Sequence, residues 1–169
     1  VNPSPLPSNA LHKRYKQNGE YTDCYTTTVT ISITHEQFIF EFYTHALFKL
    51  ERLLLSLAVS RSSTDEEVVA LAKGKAEKFA AWTVEERATN QLLLCDFRGK
   101  TRSWLMVERG SETSAEGTRI FFGSAVVSGT SKRHTNKSHG IIFRLLLGFH
   151  KLYSVALLSR AAARLIKLN

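Results

Sequence analysis

Residues 91–108 read Gln91-Leu92-Leu93-Leu94-Cys95-Asp96-Phe97-Arg98-Gly99-Lys100-Thr101-Arg102-Ser103-Trp104-Leu105-Met106-Val107-Glu108. Two apolar runs flank Arg98-Gly99-Lys100, a glycine-centred turn of hairpin length. So short a connection requires antiparallel neighbours. Outward from this hairpin, Thr118–Val127 supplies another strand beyond the polar segment Arg109–Gly117. Phe79–Glu86 supplies one more on the N-terminal side. An antiparallel meander therefore occupies the middle of the chain.

Upstream, Thr27–Thr34 alternates Val29, Ile31 and Ile33 with Thr28, Thr30 and Ser32. This period of two in β-branched residues predicts a fifth strand with one buried face. Thr34-His35-Glu36-Gln37 has the spacing of a capping box, so a helix is expected to begin there. It runs through Phe38, Ile39, Phe42, Leu47, Leu50, Leu53, Leu54 and Leu57, with a break near Thr44-His45 as an alternative. An apolar surface this wide is buried on most sides or faces lipid. Ser60–Thr64 is a polar loop. Thr64-Asp65-Glu66-Glu67 is a second capping box, opening a short helix that stops at Gly74. After the polar loop Ser128–Gly140, Ile141–Leu168 reads as a long helix rich in Leu and Ala. Arg144 and Lys151 lie on one side of it and Arg160, Arg164 and Lys167 nearly opposite, so its apolar face rotates or the helix bends near Gly148.

The chain has 169 residues, 43% of them apolar, and two cysteines. One domain is the natural expectation at this length, with a core that needs neither disulfide nor metal. Fully disordered, collagen-like and disulfide-scaffold classes are excluded. Lys and Arg number 23 against 15 Asp and Glu. From Gly129 to Asn169 eight Lys and Arg occur without one acidic residue, numerically the whole excess of +8. Such asymmetry suggests an anionic surface, either acidic lipid or nucleic acid, with simple solubility as the plain alternative. Residues 1–20 hold Pro3, Pro5 and Pro7 and the basic stretch His12-Lys13-Arg14-Tyr15-Lys16, and read as a flexible arm before a domain over 21–169. Cys24 and Cys95 stand in no motif and read as reduced thiols. No segment has the order of a signal peptide, which gives a cytoplasmic reading. Asn136-Lys137-Ser138 is then a chance match to a glycosylation acceptor. The apolar runs are interrupted before about 18 residues, too short for a transmembrane helix.

The order strand, two helices, antiparallel meander and long C-terminal helix resembles the helix-grip superfamily, also called SRPBCC or START-like. Local wording adds to it: Trp82-Thr83-Val84-Glu85, Leu92-Leu93-Leu94, Arg102-Ser103-Trp104-Leu105-Met106-Val107 and Thr118-Arg119-Ile120-Phe121-Phe122 are similar to strands of small bacterial members. The resemblance covers roughly Tyr21–Leu168. It implies an α+β fold with an antiparallel sheet curved around the C-terminal helix, two helices after the first strand, and an apolar ligand pocket between sheet and helix. It also implies a seven-stranded sheet, where five strands are placed here.

Sharper motifs fail. Gly99-Lys100-Thr101 lacks the glycine that a phosphate-binding loop needs at Leu94. His35-Glu36 lacks the second histidine that a zinc-protease helix needs at Ile39. There is no Cys-x-x-Cys, no G-x-S-x-G and no dinucleotide fingerprint. Neither metal nor cofactor is expected.

The strands divide into faces. Arg102, Trp104, Met106 and Glu108 share one, while Ser103, Leu105 and Val107 share the other. Faces that carry Arg and Glu are expected to be solvated. Leu105, Val107, Ile120, Phe122 and Ser124 are therefore expected inward. Trp104, which could stack on a flat ligand, and Tyr153 complete the expected ligand-binding set. Each could equally be ordinary core, since a pocket and a core share one sequence signature. His150 and Tyr153, three apart on a helix, share a face and are weak catalytic candidates, His150 as acid or base and Tyr153 as an orienting group. The expected function is binding of a small apolar or lipid-like molecule. A cyclase or dehydratase in the same pocket, and a peripheral membrane protein docking through the basic C-terminal helix, are the alternatives. Nucleic acid ranks third among partners, because recognition helices and interleaved strand aromatics are lacking.

Overall fold

The computed structural model describes residues 1–45, 64–109, 117–127 and 137–167, with backbone alone over 137–150. The fold is α+β. Seven strands form one antiparallel sheet: β1 (Asn2–Pro3), β2 (Tyr21–Val29), β3 (Lys78–Phe79), β4 (Trp82–Ala88), β5 (Gln91–Asp96), β6 (Thr101–Arg109) and β7 (Thr118–Val126). Their spatial order is β1-β2-β7-β6-β5-β4-β3. The described helices are α1 (Lys13–Gln17), α2 (His35–Thr44), α3 (Asp65–Ala72) and α4 (Lys137–Ile166).

The central hairpin pairs Leu92 with Leu105 and Leu94 with Ser103. Gly99 takes φ +67° in its turn, a conformation that costs a glycine little. The expected strand over 79–86 is instead a tight hairpin. Phe79 pairs with Trp82, and Ala80 turns the chain with φ +51°. The turn carries neither Gly nor Asn, so no local signal marked it. The expected strand at Thr27–Thr34 sits earlier, at Tyr21–Val29, paired along its length with β7. Beyond Val29 the chain leaves the ladder because Thr118, fully buried, holds it: the Thr118 hydroxyl donates to the Ile31 carbonyl and accepts from the Ile33 amide.

Both capping boxes form. Thr34 Oγ1 accepts from the Gln37 amide and Gln37 Oε1 from the Thr34 amide, at 3.1 and 2.7 Å. Thr64 and Glu67 repeat the exchange at the start of α3. Helix α2 ends at Thr44, where His45 is extended. The continuation expected through Leu57 lies outside the described residues. Helix α4 begins at Lys137, four residues before the apolar signal does, because its first turn is polar.

One face of the sheet carries the main core. Tyr25, Val29, Leu92, Leu94, Leu105, Val107, Ile120 and Phe122 meet Phe38, Ile39 and Phe42 of α2, Val68 and Leu71 of α3, and Leu157, Leu158, Ala161 and Leu165 of α4. Arg164 of α4 pairs with the buried Glu41 carboxylate of α2, which ties the two helices together.

The other face is not solvated. Leu93, Trp104, Met106, Phe121 and Cys24 are buried there with Ala10, and Leu6, Leu11 and Tyr15 pack around them. Residues 1–20, expected as a flexible arm, lie docked on this face. Asn2 and Pro3 add a strand to β2, and Gln91 clamps the segment by accepting from the Leu11 amide and donating to the Asn9 carbonyl. Gln91 also accepts from the Trp104 indole at 2.9 Å. The physical cause is apolar area. The sheet is greasy on both sides, and the N-terminal segment covers the second side.

Candidate functional site

The ligand-binding residues expected from sequence do not converge on one pocket. Leu105, Val107, Ile120 and Phe122 do face the helices, as expected, but as packed core no more than 6% exposed. Trp104 lies on the opposite face, its ring 4.4 Å from that of His12. Ser124 faces the helices, and its hydroxyl donates to Asp23 at 2.7 Å. Tyr153 packs half-buried against the main core. His150 falls where only the backbone is described, so its pairing with Tyr153 lies outside the described residues.

The interior face also carries a polar row that residue types alone did not reveal. Tyr43 Oη and Ser103 Oγ are 3.1 Å apart and buried. Ser124 is the cross-strand neighbour of both Ser103 and Asp23. Tyr21 donates to the second Asp23 oxygen at 3.3 Å.

A cleft of about 640 Å³ opens elsewhere, at the far end of the sheet, with no described residue of α4 in its lining. Its size falls within the roughly 300–1,000 Å³ range of small-molecule sites. Four segments build it. Ile33, Thr34, His35 and Glu36 enter α2; Ala72, Lys73 and Gly74 leave α3; Arg87 to Asn90 turn from β4 into β5; Val107, Glu108 and Arg109 end β6. Each wall has a local cause. The Thr34 capping box fixes the start of α2. Gly74, at φ +69°, ends α3 and returns its amide to the Leu71 carbonyl. Asn90 donates through its side chain to the Val107 carbonyl at 2.8 Å and accepts the Val107 amide on its own carbonyl at 3.0 Å. This pair of bonds locks the β4–β5 turn onto β6.

The cleft is apolar at Ile33, Ala72 and Val107 and cationic at Lys73, Arg87 and Arg109. Arg87 spends one guanidinium N–H on the Leu71 carbonyl at 2.9 Å, capping α3. Its Nε is buried without a hydrogen-bond partner among the described residues, and so is His35 Nε2. Burial, reinforced by the Arg87 charge, pushes the His35 pKa down to about 4, and the Leu105 main chain only partly offsets this. His35 is thus a neutral imidazole at pH 7. The acidic members are Glu36 and Glu108, and Glu108 is drawn to Arg119 at 3.5 Å. No ion pair joins Lys73, Arg87 or Arg109 to an acidic side chain among the described residues. The arrangement can seat an anionic group over an apolar floor.

Val107, expected in a pocket beneath the C-terminal helix, lines this cleft instead, and the other walls were not anticipated from sequence. In the sequence His35 stands out only as part of a capping box and of an incomplete zinc-protease pattern. Arg87 and Asn90 carry no pattern of their own, since a turn residue and a strand arginine are unremarkable until α3 packs against them.

Among the described residues no group of three or more His, Cys, Asp or Glu side chains is placed to hold a metal ion. No described helix is long and apolar enough to cross a membrane. Cys24 and Cys95 are free thiols, and burial pushes Cys24 up to about 12. The chain matches no protein-family model, no curated protein and no solved structure.

Proposed function

We propose that the protein binds a small amphipathic anion, an apolar body ending in a carboxylate or phosphate, in the cleft between the starts of α2 and the β4–β5 turn. The observation that carries this reading is an apolar floor beside three cations, Lys73, Arg87 and Arg109, none of them ion-paired to an acidic side chain among the described residues, inside about 640 Å³. A purely apolar ligand would leave the Arg87 guanidinium facing desolvation without compensation. A charged head group answers it, and a bidentate arginine contact to carboxylate or phosphate is among the stronger polar interactions. The reading keeps the lipid-like ligand class expected from sequence and moves its seat. The seven antiparallel strands, with α4 laid along β2 and β7, support the helix-grip resemblance as an architecture.

The test is a calorimetric titration with a medium-chain fatty acid, the matching alkyl phosphate and the matching neutral alcohol. The acids should bind at least tenfold tighter than the alcohol. Lys73→Gln should weaken the acids alone, by roughly three- to tenfold for one solvent-facing charge. Equal affinity for acid and alcohol, or binding of none, would remove the proposal.

A further inference from the structure

The half of α4 whose side chains are described presents an exposed face that no described residue covers. Leu152 is 74% exposed and Ile166 50% exposed. At 3.6 residues per turn, Leu152, Ala156, Ser159, Ala163 and Ile166 fall within an arc of about 80°. Arg160 and Lys167 flank this strip on one side and Lys151 flanks it on the other, all three exposed. The opposite face of the helix is the one that enters the core, through Ser154, Leu157, Leu158, Ala161 and Leu165. Arg164 stands apart, held by Glu41. No Asp or Glu occurs anywhere from Lys137 to Ile166.

We propose that this face of α4 docks on an anionic membrane surface, with Leu152 and Ile166 entering the headgroup boundary and Lys151, Arg160 and Lys167 meeting lipid phosphates. A narrow apolar strip bordered by cations, on a helix lying flat, is the pattern of an interfacial helix. A large apolar protein partner fits less well, because the strip between the two exposed anchors is Ala and Ser, too shallow to fill a pocket. Charge complementarity selects the partner, since three cations with no acidic residue on the helix favour a negative surface and repel a cationic one. The proposal does not depend on the cleft, whose described lining holds no residue of α4.

The experiment is co-sedimentation of the full chain with vesicles of pure phosphatidylcholine and with vesicles containing about one third phosphatidylglycerol. Binding to the anionic vesicles should be roughly tenfold to hundredfold stronger. It should fall sharply as salt rises to about 1 M, where the screening length is ~3 Å. The double variant Leu152→Asp, Ile166→Asp should lose binding while melting at the wild-type temperature, because both side chains are solvent-facing. Arg160→Glu with Lys167→Glu should also lose it. Failure to bind either vesicle overturns the proposal and leaves the face to an acidic protein. Wild-type binding by the Asp double variant also overturns it, since adhesion would then come from charge elsewhere on the chain.

Discussion

Gln91 is 3% exposed and satisfies three groups at once: the Leu11 amide, the Asn9 carbonyl and the Trp104 indole. Gln91→Leu should destabilise the fold by about 2–4 kcal/mol, because the buried Trp104 indole and two part-buried main-chain groups lose their partners together. Chemical denaturation would measure it, and a loss below about 1 kcal/mol would mean that water replaces the side chain. His12 belongs to the same face. Its Nε2 lies 3.3 Å from the Asp23 carbonyl and so carries the ring proton, while Nδ1 is buried without a partner. Burial lowers its pKa from 6.5 to about 4, against weaker opposing contributions from Asp23. Between those values the unfolded chain takes a proton that the folded chain refuses. The contribution of His12 is therefore complete above pH 6.5 and is lost as pH falls toward 4, about 3 kcal/mol in all. His35 and His45 act in the same direction. A His12→Leu variant should lose stability less steeply than wild type between pH 6.5 and 4. An unchanged slope would place the proton uptake elsewhere. Gly123 permits this packing, since a Cβ there would come within 2.8 Å of His12 Nε2. None of these roles was legible one residue at a time. A Gln at the start of a strand and a His in a basic stretch have no distinguishing pattern.

At the scale of elements, the capping boxes were legible and the short hairpins were not. Thr34→Ala and Thr64→Ala should each cost about 1 kcal/mol, read as a lower melting temperature, because each leaves one amide of the first turn unpaired. The β3–β4 turn at Ala80 escaped because the αL conformation fell to a residue that rarely adopts it. The N-terminal segment was misread for a different reason. Its prolines and basic residues suggest a free arm, yet Arg14 binds Glu85 and Glu86, and Arg102 reaches Glu85 at 2.8 Å. Burial alone would raise the Glu85 pKa, but hydrogen bonds from Tyr15 and Arg14 and the charge of Arg102 hold it below the usual carboxylate range. Arg14 of the basic stretch is thus occupied within the fold. A chain lacking residues 1–11 would expose Trp104, Met106 and Phe121. It should show red-shifted tryptophan emission and self-association, and unchanged emission would mean that the segment covers little. One signal was present: Leu92-Leu93-Leu94 and Trp104-Leu105-Met106-Val107 are continuous apolar runs, which mark strands buried on both faces.

At the scale of the molecule, α2 and α4 meet on the sheet, and the Arg164–Glu41 pair fastens them. Glu41 is the buried partner and Arg164 the more exposed one, with side chains 5% and 41% exposed. Arg164→Met should therefore cost about 2 kcal/mol, less than the loss from a fully buried pair, because water reaches one side of the contact. A double-mutant cycle with Glu41→Gln would isolate the coupling. The central β5–β6 hairpin, the capped starts of α2 and α3, the C-terminal helix and the inward face of β6 and β7 could be read from the sequence, because each follows from contacts a few residues apart or from a period of two. Only the tertiary structure decided what covers the outer face, where Trp104 goes, and that Arg87, His35, Lys73 and Val107 share a cleft. Those outcomes depend on segments distant in the chain meeting in space. Composition and local pattern constrain such meetings only through the total apolar area that must be covered, and not through which segment covers it.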